Sequence, residues 1–313
     1  MRFKGLDLNL LVAFDAILVE GTITRAAQRV HLSQSAMSNA LARLREHYRD
    51  ELFVQVGRKL VRTPLAEALA GPVRDILLRV DTTAALTPGF DPAASARCFV
   101  LAASDYIMAV LLDRLLARVY REAPDITFEL LPVDRGMELL ERGDVDLLLF
   151  PKQFERAEHP GEPTIEDTYT CVVWEGNTQV GETLTLERYL EAGHVATRLG
   201  VDRMPTFEGW FLKRFGIQRR IEVATYNLTS PPRLVIGTQR IATVHTRLAR
   251  QMAHSLPLRL VAPPVEIPRL ISVMQWHRYK AHDPGLAWLR RMVHEVAAED
   301  DDEASLMPPS RPA

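Results

Sequence analysis

The stretch His31-Leu32-Ser33-Gln34-Ser35-Ala36-Met37-Ser38-Asn39-Ala40-Leu41-Ala42-Arg43-Leu44-Arg45 decides how the first part of the chain is read. Wound at about 100° per residue, Met37, Ala40, Leu41, Leu44 and Tyr48 share one stripe that must pack inward. The opposite face carries Ser35, Asn39, Ala42 and Glu46, flanked by Ser38 and Arg43. Ser33 suits an N-cap, so the spacing predicts a helix from Gln34 to about Tyr48. Before it, His31-Leu32-Ser33 makes a three-residue turn after a shorter helix. That helix has Thr22 or Thr24 as its cap and a small pair, Ala26-Ala27, that lets another helix cross closely. Further upstream, Asp7 is the expected cap of a helix through Val19, closed near Gly21, with Leu10, Leu11, Phe14 and Leu18 on its buried face. Helix, three-residue turn, helix is the arrangement that lays its second helix in the major groove of DNA.

Short hydroxyl and amide groups at the start of such a helix suit base-edge reading. Asn or Gln pairs bidentately with adenine, and Arg with guanine or a phosphate. Ser33, Gln34, Ser35, Ser38, Asn39 and Arg43 are therefore the candidate DNA contacts here, although a solvated helix face has the same composition. The run from Leu52 to Arg62 then holds two short apolar segments around Gly57-Arg58-Lys59. It reads as a hairpin with a basic tip, a wing whose Arg58 and Lys59 lie against phosphates or reach into the minor groove. Residues 1–63 carry ten Lys and Arg against six Asp and Glu, a balance of +4. The other 250 residues carry −6, part of it in Glu299-Asp300-Asp301-Asp302-Glu303. A net charge of −2 thus conceals a basic module joined to an acidic one.

Thr63-Pro64 reads as an N-cap followed by proline at the first helical position. Leu65, Leu69, Val73, Ile76 and Val80 repeat at helical spacing, a seam suited to a partner helix or to the helix's own domain. Gly71-Pro72 in its middle predicts a kink in one linker helix, because proline removes a hydrogen bond. The hinge is Thr82–Ala96. From Arg97 onward, apolar runs at 98–102, 126–131, 145–150, 169–173, 194–197, 221–224, 241–244 and 271–276 read as strands. Stretches 106–123, 136–142 and 284–297 read as helices. This alternation argues for mainly parallel sheets faced by helices, in two small α/β lobes enclosing a cleft.

The runs Leu6–Asp15, Ala26-Ala27, Leu32–Arg45 and Leu52-Phe53-Val54 resemble the LysR-type transcriptional regulators. Within them, the resemblance is to the branch of flavonoid-responsive nodulation regulators and salicylate-responsive regulators of aromatic degradation. Gly143-Asp144-Val145-Asp146-Leu147, Gly193-His194-Val195, Val235-Ile236-Gly237-Thr238 with Ile241–Val244, Trp276-His277, Asp283-Pro284 and Trp288-Leu289-Arg290 extend it over nearly the whole chain. One departure is Ser35, where this family usually has Pro; its N–H and hydroxyl alter what the helix start offers a base or a phosphate. The resemblance implies an α/β chain with an N-terminal winged helix-turn-helix (1–63), a linker helix and hinge (64–96), and a two-lobed periplasmic-binding-protein-like effector domain (97–300). Lobe I spans about 97–168 and 271–298 and lobe II about 169–270, with an acidic, Pro-rich tail at 299–313.

Small ligands in open α/β sheets bind at the carboxyl ends of strands. By that rule the candidate effector-binding residues are Ser104, Asp105, Ile107, Val133, Asp134, Thr197, Arg198, Tyr226, Asn227, His245 and Thr246. Arg198 and Arg247 are placed to pair a carboxylate or phenolate, and Tyr226 to pack on a ring. Asp105 and Asp134 weigh against an anion unless arginines offset them, so a neutral phenolic or chlorinated aromatic fits as well as salicylate.

Of the 313 residues, 47% are apolar and 25% charged, ordinary values for soluble globular protein. Cys98 and Cys171 cannot make a framework of bridges, and neither has a second cysteine nearby for zinc. No Gly-x-Ser-x-Gly elbow, phosphate-cradling loop or His-Glu-x-x-His occurs, and His277 and His282 do not share a helix face. No catalytic residue, metal or cofactor is expected, and the chain does not read as an enzyme. With no secretory signal and no apolar window of about 18 residues, a cytoplasmic protein without a membrane partner is expected. The expected partners are double-stranded promoter DNA, a small aromatic effector, further copies in a homodimer or homotetramer, and RNA polymerase where the protein activates. The alternative of another class is a two-lobed solute-binding or enzymatic α/β protein whose N-terminal helices serve assembly.

Overall fold

The computed structural model describes residues 2–3, 6–57, 59–84, 89–200 and 204–306. The chain divides into two compact units, Met1–Leu86 and Thr87–Ala313. In the first, helices α1 (Asn9–Glu20), α2 (Ile23–Arg29) and α3 (Gln34–Tyr48) surround one core. Phe14, Ile17, Met37 and Leu44 are at most 1% exposed, and burying each contributes about 1.5–3 kcal/mol. Local chemistry sets the boundaries. Gly21, at φ 65°, returns its N–H to Ile17 O at 2.9 Å and closes α1. Thr22 Oγ1 accepts from Arg25 N, and Ser33 Oγ from Ala36 N, which opens α2 and α3.

The cap expected at Asp7 is displaced. Leu6–Asp7 pairs antiparallel with Arg2–Phe3, so the backbone is still extended at Asp7 and the capping position falls to Leu8. The Asp7 carboxylate still accepts from Asn9 N at 3.1 Å. Strands Phe53–Val56 and Lys59–Arg62 form the hairpin, with Val56 opposite Lys59 and Gly57 at φ 63°. Arg58 lies outside the described residues. Helix α4 (Pro64–Ala84) runs as one helix through Pro72, its first turn capped by Thr63 Oγ1 on Ala66 N. The predicted seam divides: Leu65, Leu69 and Val73 pack on the unit's own core, whereas Ile76 and Val80 are exposed. Arg74 holds Asp15 of α1 at 2.6 Å.

The second unit contains two sheets. One orders its strands Thr127–Pro132, Cys98–Ala103, Leu147–Pro151, Leu270–Gln275 and Gly161–Asp167. The other orders Met204–Pro205, Gly193–Leu199, Ile241–His245, Tyr169–Trp174 and Leu258–Val261, with Arg220–Thr225 paired to Gly193–Leu199. Both are mixed rather than mainly parallel. Tyr169–Trp174 and Leu270–Gln275, the strands on which the chain enters each sheet from the other, run antiparallel to their neighbours. A strand fed from the opposite lobe starts where the parallel strands end, so it must run against them. Gly161–Asp167 and Leu258–Val261 were not anticipated. Both are edge strands, which carry little apolar alternation and tolerate proline.

The helix Asp105–Ile107 continues through a π-helical turn at Met108–Leu112 into Asp113–Glu122, and the terminal helix runs Pro284–Leu306. Both pack on one face of the first sheet with Phe99, Leu101, Leu147, Leu149 and Met274. At the start of this unit, Phe90 lies 5.5 Å from the Trp288 ring, and Arg97 bridges Asp283 at 2.7 Å and Asp146 at 3.3 Å.

Candidate nucleic-acid interface and effector cleft

On α3 the residues Ser33, Gln34, Ser35, Ser38, Asn39 and Arg43 are all exposed while Met37, Leu41 and Leu44 are buried, so the expected polar face exists. Three of its members already have partners. Ser33 caps the helix and lies 3.0 Å from the Ser35 hydroxyl, so the departure at Ser35 is tied into the cap. The Arg43 guanidinium donates to Asp7 at 3.1 Å. Asn9 N–H and Arg43 together hold the Asp7 carboxyl below its usual range. Arg45, by contrast, is structural: it donates to Glu51 O and Phe53 O and fastens the hairpin to α3. Lys59 lies in the second hairpin strand.

In the second unit the two sheets meet around the start of the Asp105 helix. Ser104 Oγ caps it by accepting from Ile107 N. Asp105 reaches into the other lobe, where its carboxylate accepts from Leu228 N, Thr229 N and Thr229 Oγ1 at 2.7–3.1 Å. Next to it, the Tyr106 hydroxyl donates to Asp167 at 2.7 Å, and its ring stacks 4.1 Å from the ring of His245. Tyr169 lies 4.9 Å from the other side of that histidine. Burial pushes His245 down to about 4, opposed only by the charge of Asp105, so the ring is neutral at ordinary pH. Burial pushes the Asp167 carboxyl up, although Tyr106 and the N–H groups of Arg247 and Thr168 donate to it.

The loop that Asp105 grips is built from below. Thr197 and Thr225 hydroxyls both donate to Asn227 O at 2.9 Å, and Asn227 Oδ1 accepts from Ser230 N. Thr168 Oγ1 donates to Thr246 Oγ1 at 2.8 Å where the chain crosses between lobes. Ser104, Asp105, Thr197, Asn227, His245 and Thr246 thus belong to one junction.

The remaining candidates are placed differently. Ile107 is 2% exposed and belongs to the core, because one turn into the helix its side chain faces the sheet. Val133 packs with Leu131 and Met137 on the sheet's other face. Asp134 and Arg198 are exposed, and Tyr226 is 83% exposed. Arg247 Nε and Nη2 donate to Glu166 O at 3.2–3.3 Å. Tyr106, Asp167 and Tyr169 were not foreseen. Tyr106 and Tyr169 each open a predicted element and Asp167 sits in the polar stretch just before one, positions that many structural residues share.

Two other polar features are not sites of this kind. In the second lobe Glu208 and Arg219 form a buried pair at 3.0 Å. Arg219 continues to the Tyr189 hydroxyl, and that hydroxyl to Thr243, whose Oγ1 lies 3.6 Å from Cys171 Sγ. Burial raises the Cys171 thiol to about 12, which leaves it protonated and inert. Away from the cleft, a cavity of about 300 Å³ lies between the Asp113–Glu122 and terminal helices. Its Arg118 is neutralised by Glu122, Glu295 and Glu299. Among the described residues no group of three or more His, Cys, Asp and Glu could hold a metal, and no helix is long and apolar enough to cross a membrane.

The family model for bacterial regulatory helix-turn-helix proteins of the lysR family matches residues 8–67, and the LysR substrate binding domain matches residues 95–298. Nodulation protein D 1 of Bradyrhizobium sp. (strain NC92) is 45% identical over 299 residues, 95% of each chain. Nodulation protein D 1 of Rhizobium meliloti (strain 1021) is 43% identical over 305 residues, covering 97% of this chain and 99% of that protein. A probable transcriptional regulator from Pseudomonas aeruginosa superposes with a TM-score of 0.64 at 29% identity, covering 93% of this chain and 97% of its own. A full-length OxyR from the same organism shares the fold, with a TM-score of 0.70 at 16% identity over 93% of this chain and 94% of its own. These matches set aside the solute-binding and enzymatic alternative, because the family consists of regulators and not of enzymes. The chain belongs to the LysR family: it is a LysR-type transcriptional regulator with an N-terminal helix-turn-helix DNA-binding domain and a C-terminal effector-binding domain.

Proposed function

We propose that this regulator reads a pseudo-palindromic operator through Ser33, Gln34, Ser35, Ser38, Asn39 and Arg43 of α3. In this reading Arg58 and Lys59 of the wing lie against the backbone. It acts in the cytoplasm as a homodimer or homotetramer, with Ile76 and Val80 of α4 as apolar positions for a partner helix. It answers a small aromatic effector held at the junction of Ser104, Asp105, Thr197, Asn227, His245 and Thr246. Where it activates, RNA polymerase is the further partner. The relatives' names attach them to nodulation, and the resemblance to the flavonoid- and salicylate-responsive branch supports an aromatic effector.

The observation that carries the DNA reading is the exposed polar face at the start of α3, set above a fully buried Met37, Leu41 and Leu44 stripe. Phosphate contacts supply affinity and position, and base-edge contacts supply specificity. Footprinting on the DNA upstream of the protein's own gene, in moderate salt with excess competitor, tests it. A protected pseudo-palindrome is the expected result. Binding no better than that of a neutral protein, on this DNA and on random DNA, overturns it.

A further inference from the structure

The Asp105 carboxylate is bound by four hydrogen bonds of 2.7–3.1 Å, all from Leu228 N, Thr229 N and Thr229 Oγ1 of the opposite lobe. Every one of these donors is neutral. The donors converge as they would on a free carboxylate, and Thr197, Thr225 and Asn227 hold the loop that presents them. Next to Asp105 in the chain, the Tyr106 ring stacks 4.1 Å from His245, which lies 4.9 Å from Tyr169, and Leu228 packs on the apolar cluster that contains Tyr106. An anion seat and a group of aromatic rings therefore meet at Asp105, and the seat is filled by the protein's own side chain.

We propose that Leu228 N, Thr229 N and Thr229 Oγ1 form the effector's anion seat, and that Asp105 is a built-in competitor which latches the lobes until an aromatic carboxylate or phenolate displaces it. This rests on the reading of the lobe junction as the effector site and names the ligand class for it. Because Asp105 starts the 105–122 helix, its release removes the carboxylate tie between that end of the helix and the second lobe. The Tyr106 ring on His245, and Gln251 Nε2 donating to Ala109 O at 3.2 Å in the π-helical turn, still join them. Competition of this kind lowers apparent affinity by the fraction of molecules whose seat is empty, so removing the competitor must tighten anion binding.

The test uses the full chain, amide hydrogen exchange over residues 226–231, and acetate as the probe, with acetamide and chloride as controls at matched ionic strength. In Asp105→Ala the Leu228 and Thr229 amides should exchange at least tenfold faster than in the parent, and acetate should restore protection saturably at tens of millimolar. Acetamide and chloride should not. Asp105→Asn keeps the shape of the latch. There the half-saturating acetate concentration should fall at least tenfold below that of the parent, and adding Thr229→Val should raise it again. Unchanged exchange in Asp105→Ala, equal rescue by acetamide, or unchanged acetate binding in Asp105→Asn overturns the proposal. A failure of the latch and a failure of the junction as an anion site are told apart: acetate that protects the 228–229 amides equally in the parent and in Asp105→Asn keeps the seat and removes the latch, whereas no saturable protection in either variant removes both.

Discussion

The two units hold themselves together over different distances along the chain. In the first, Gly21 closes on Ile17, Ser33 on Ala36, Thr63 on Ala66, and Arg62 reaches back to Leu18 O. In the second, Arg97 pairs with Asp283 at a separation of 186 residues, and Asp105 bonds Thr229 across 124. The longest bonds named for the DNA-reading unit, Arg62 to Leu18 O and Arg74 to Asp15, span 44 and 59 residues, well short of those in the second unit. Long-range closure places the lobe junction where distant loops converge, so its residues come from both lobes. The largest test of this contrast is Met37→Ala. It removes a side chain with 0% exposure from the first core and should cost about 2–5 kcal/mol. Amide exchange across 9–62 should accelerate while that across 98–297 stays as it was. Equal acceleration in both would break the separation.

The next effect belongs to the second unit alone. His245 and His194 both titrate at about 4 in the fold, against 6.5 for a free ring, because burial disfavours their charged forms. A depressed histidine stabilises the fold fully above about pH 6.5, and that contribution is lost as pH falls toward 4. Each shift corresponds to at most about 3 kcal/mol. Asp167, whose carboxyl is raised, works the other way and favours the fold at low pH. Urea unfolding between pH 7 and 4 should show a net fall in stability of the second unit, and His245→Phe should flatten it. A slope unchanged in that variant would mean that the histidine is not the titrating group. A slope equally present in the first unit would erase the contrast.

How much of each region could be read in advance follows from the same difference in range. Thr22, Ser33 and Thr63 announce their helices because a cap needs only the three residues after it. The Met37, Leu41, Leu44 stripe is equally local. At the lobe junction, Ser104 and Asp105 were placed by the rule that ligands meet strand ends, but nothing near Asp105 names Leu228 and Thr229 as its partners. Arg247 shows a similar gap: a cation near a strand end invites a ligand reading, and nothing near it in the sequence names Glu166 O as its partner. Gly161–Asp167 went unseen because an edge strand with one buried isoleucine and a proline lacks the alternation that marks a central one. Side-chain type and short spacing were legible, and pairing across the topology was not.

Asn39→Ala sharpens the comparison from the DNA side. The residue is exposed and lies opposite the buried stripe, so truncation should leave the unfolding midpoint unchanged. Loss of a bidentate base contact should weaken operator binding by about 1–3 kcal/mol and spare non-specific binding. Competition binding against operator and random duplexes separates the two. Equal losses on both would move Asn39 from base reading to general positioning.

The smallest expected effect concerns the one base-reading candidate that the fold already engages through its charge. Arg43 donates to Asp7 at 3.1 Å, with 42% and 20% of the two side chains exposed. Ion pairs this open contribute little, since water and salt screen them. Asp7→Asn keeps an acceptor for the Asn9 N–H and removes the charge that holds Arg43. The unfolding midpoint should stay where it is in the parent. The freed guanidinium should instead reach a phosphate, and the slope of log affinity against log salt should steepen by about 0.9. If the slope stays fixed, Arg43 does not face the backbone and its place is at a base edge or in the fold. A clear fall in the unfolding midpoint would make Asp7–Arg43 a strut of the first unit. That would give the DNA-reading surface a structural constraint of the kind that Asp105 places on the cleft.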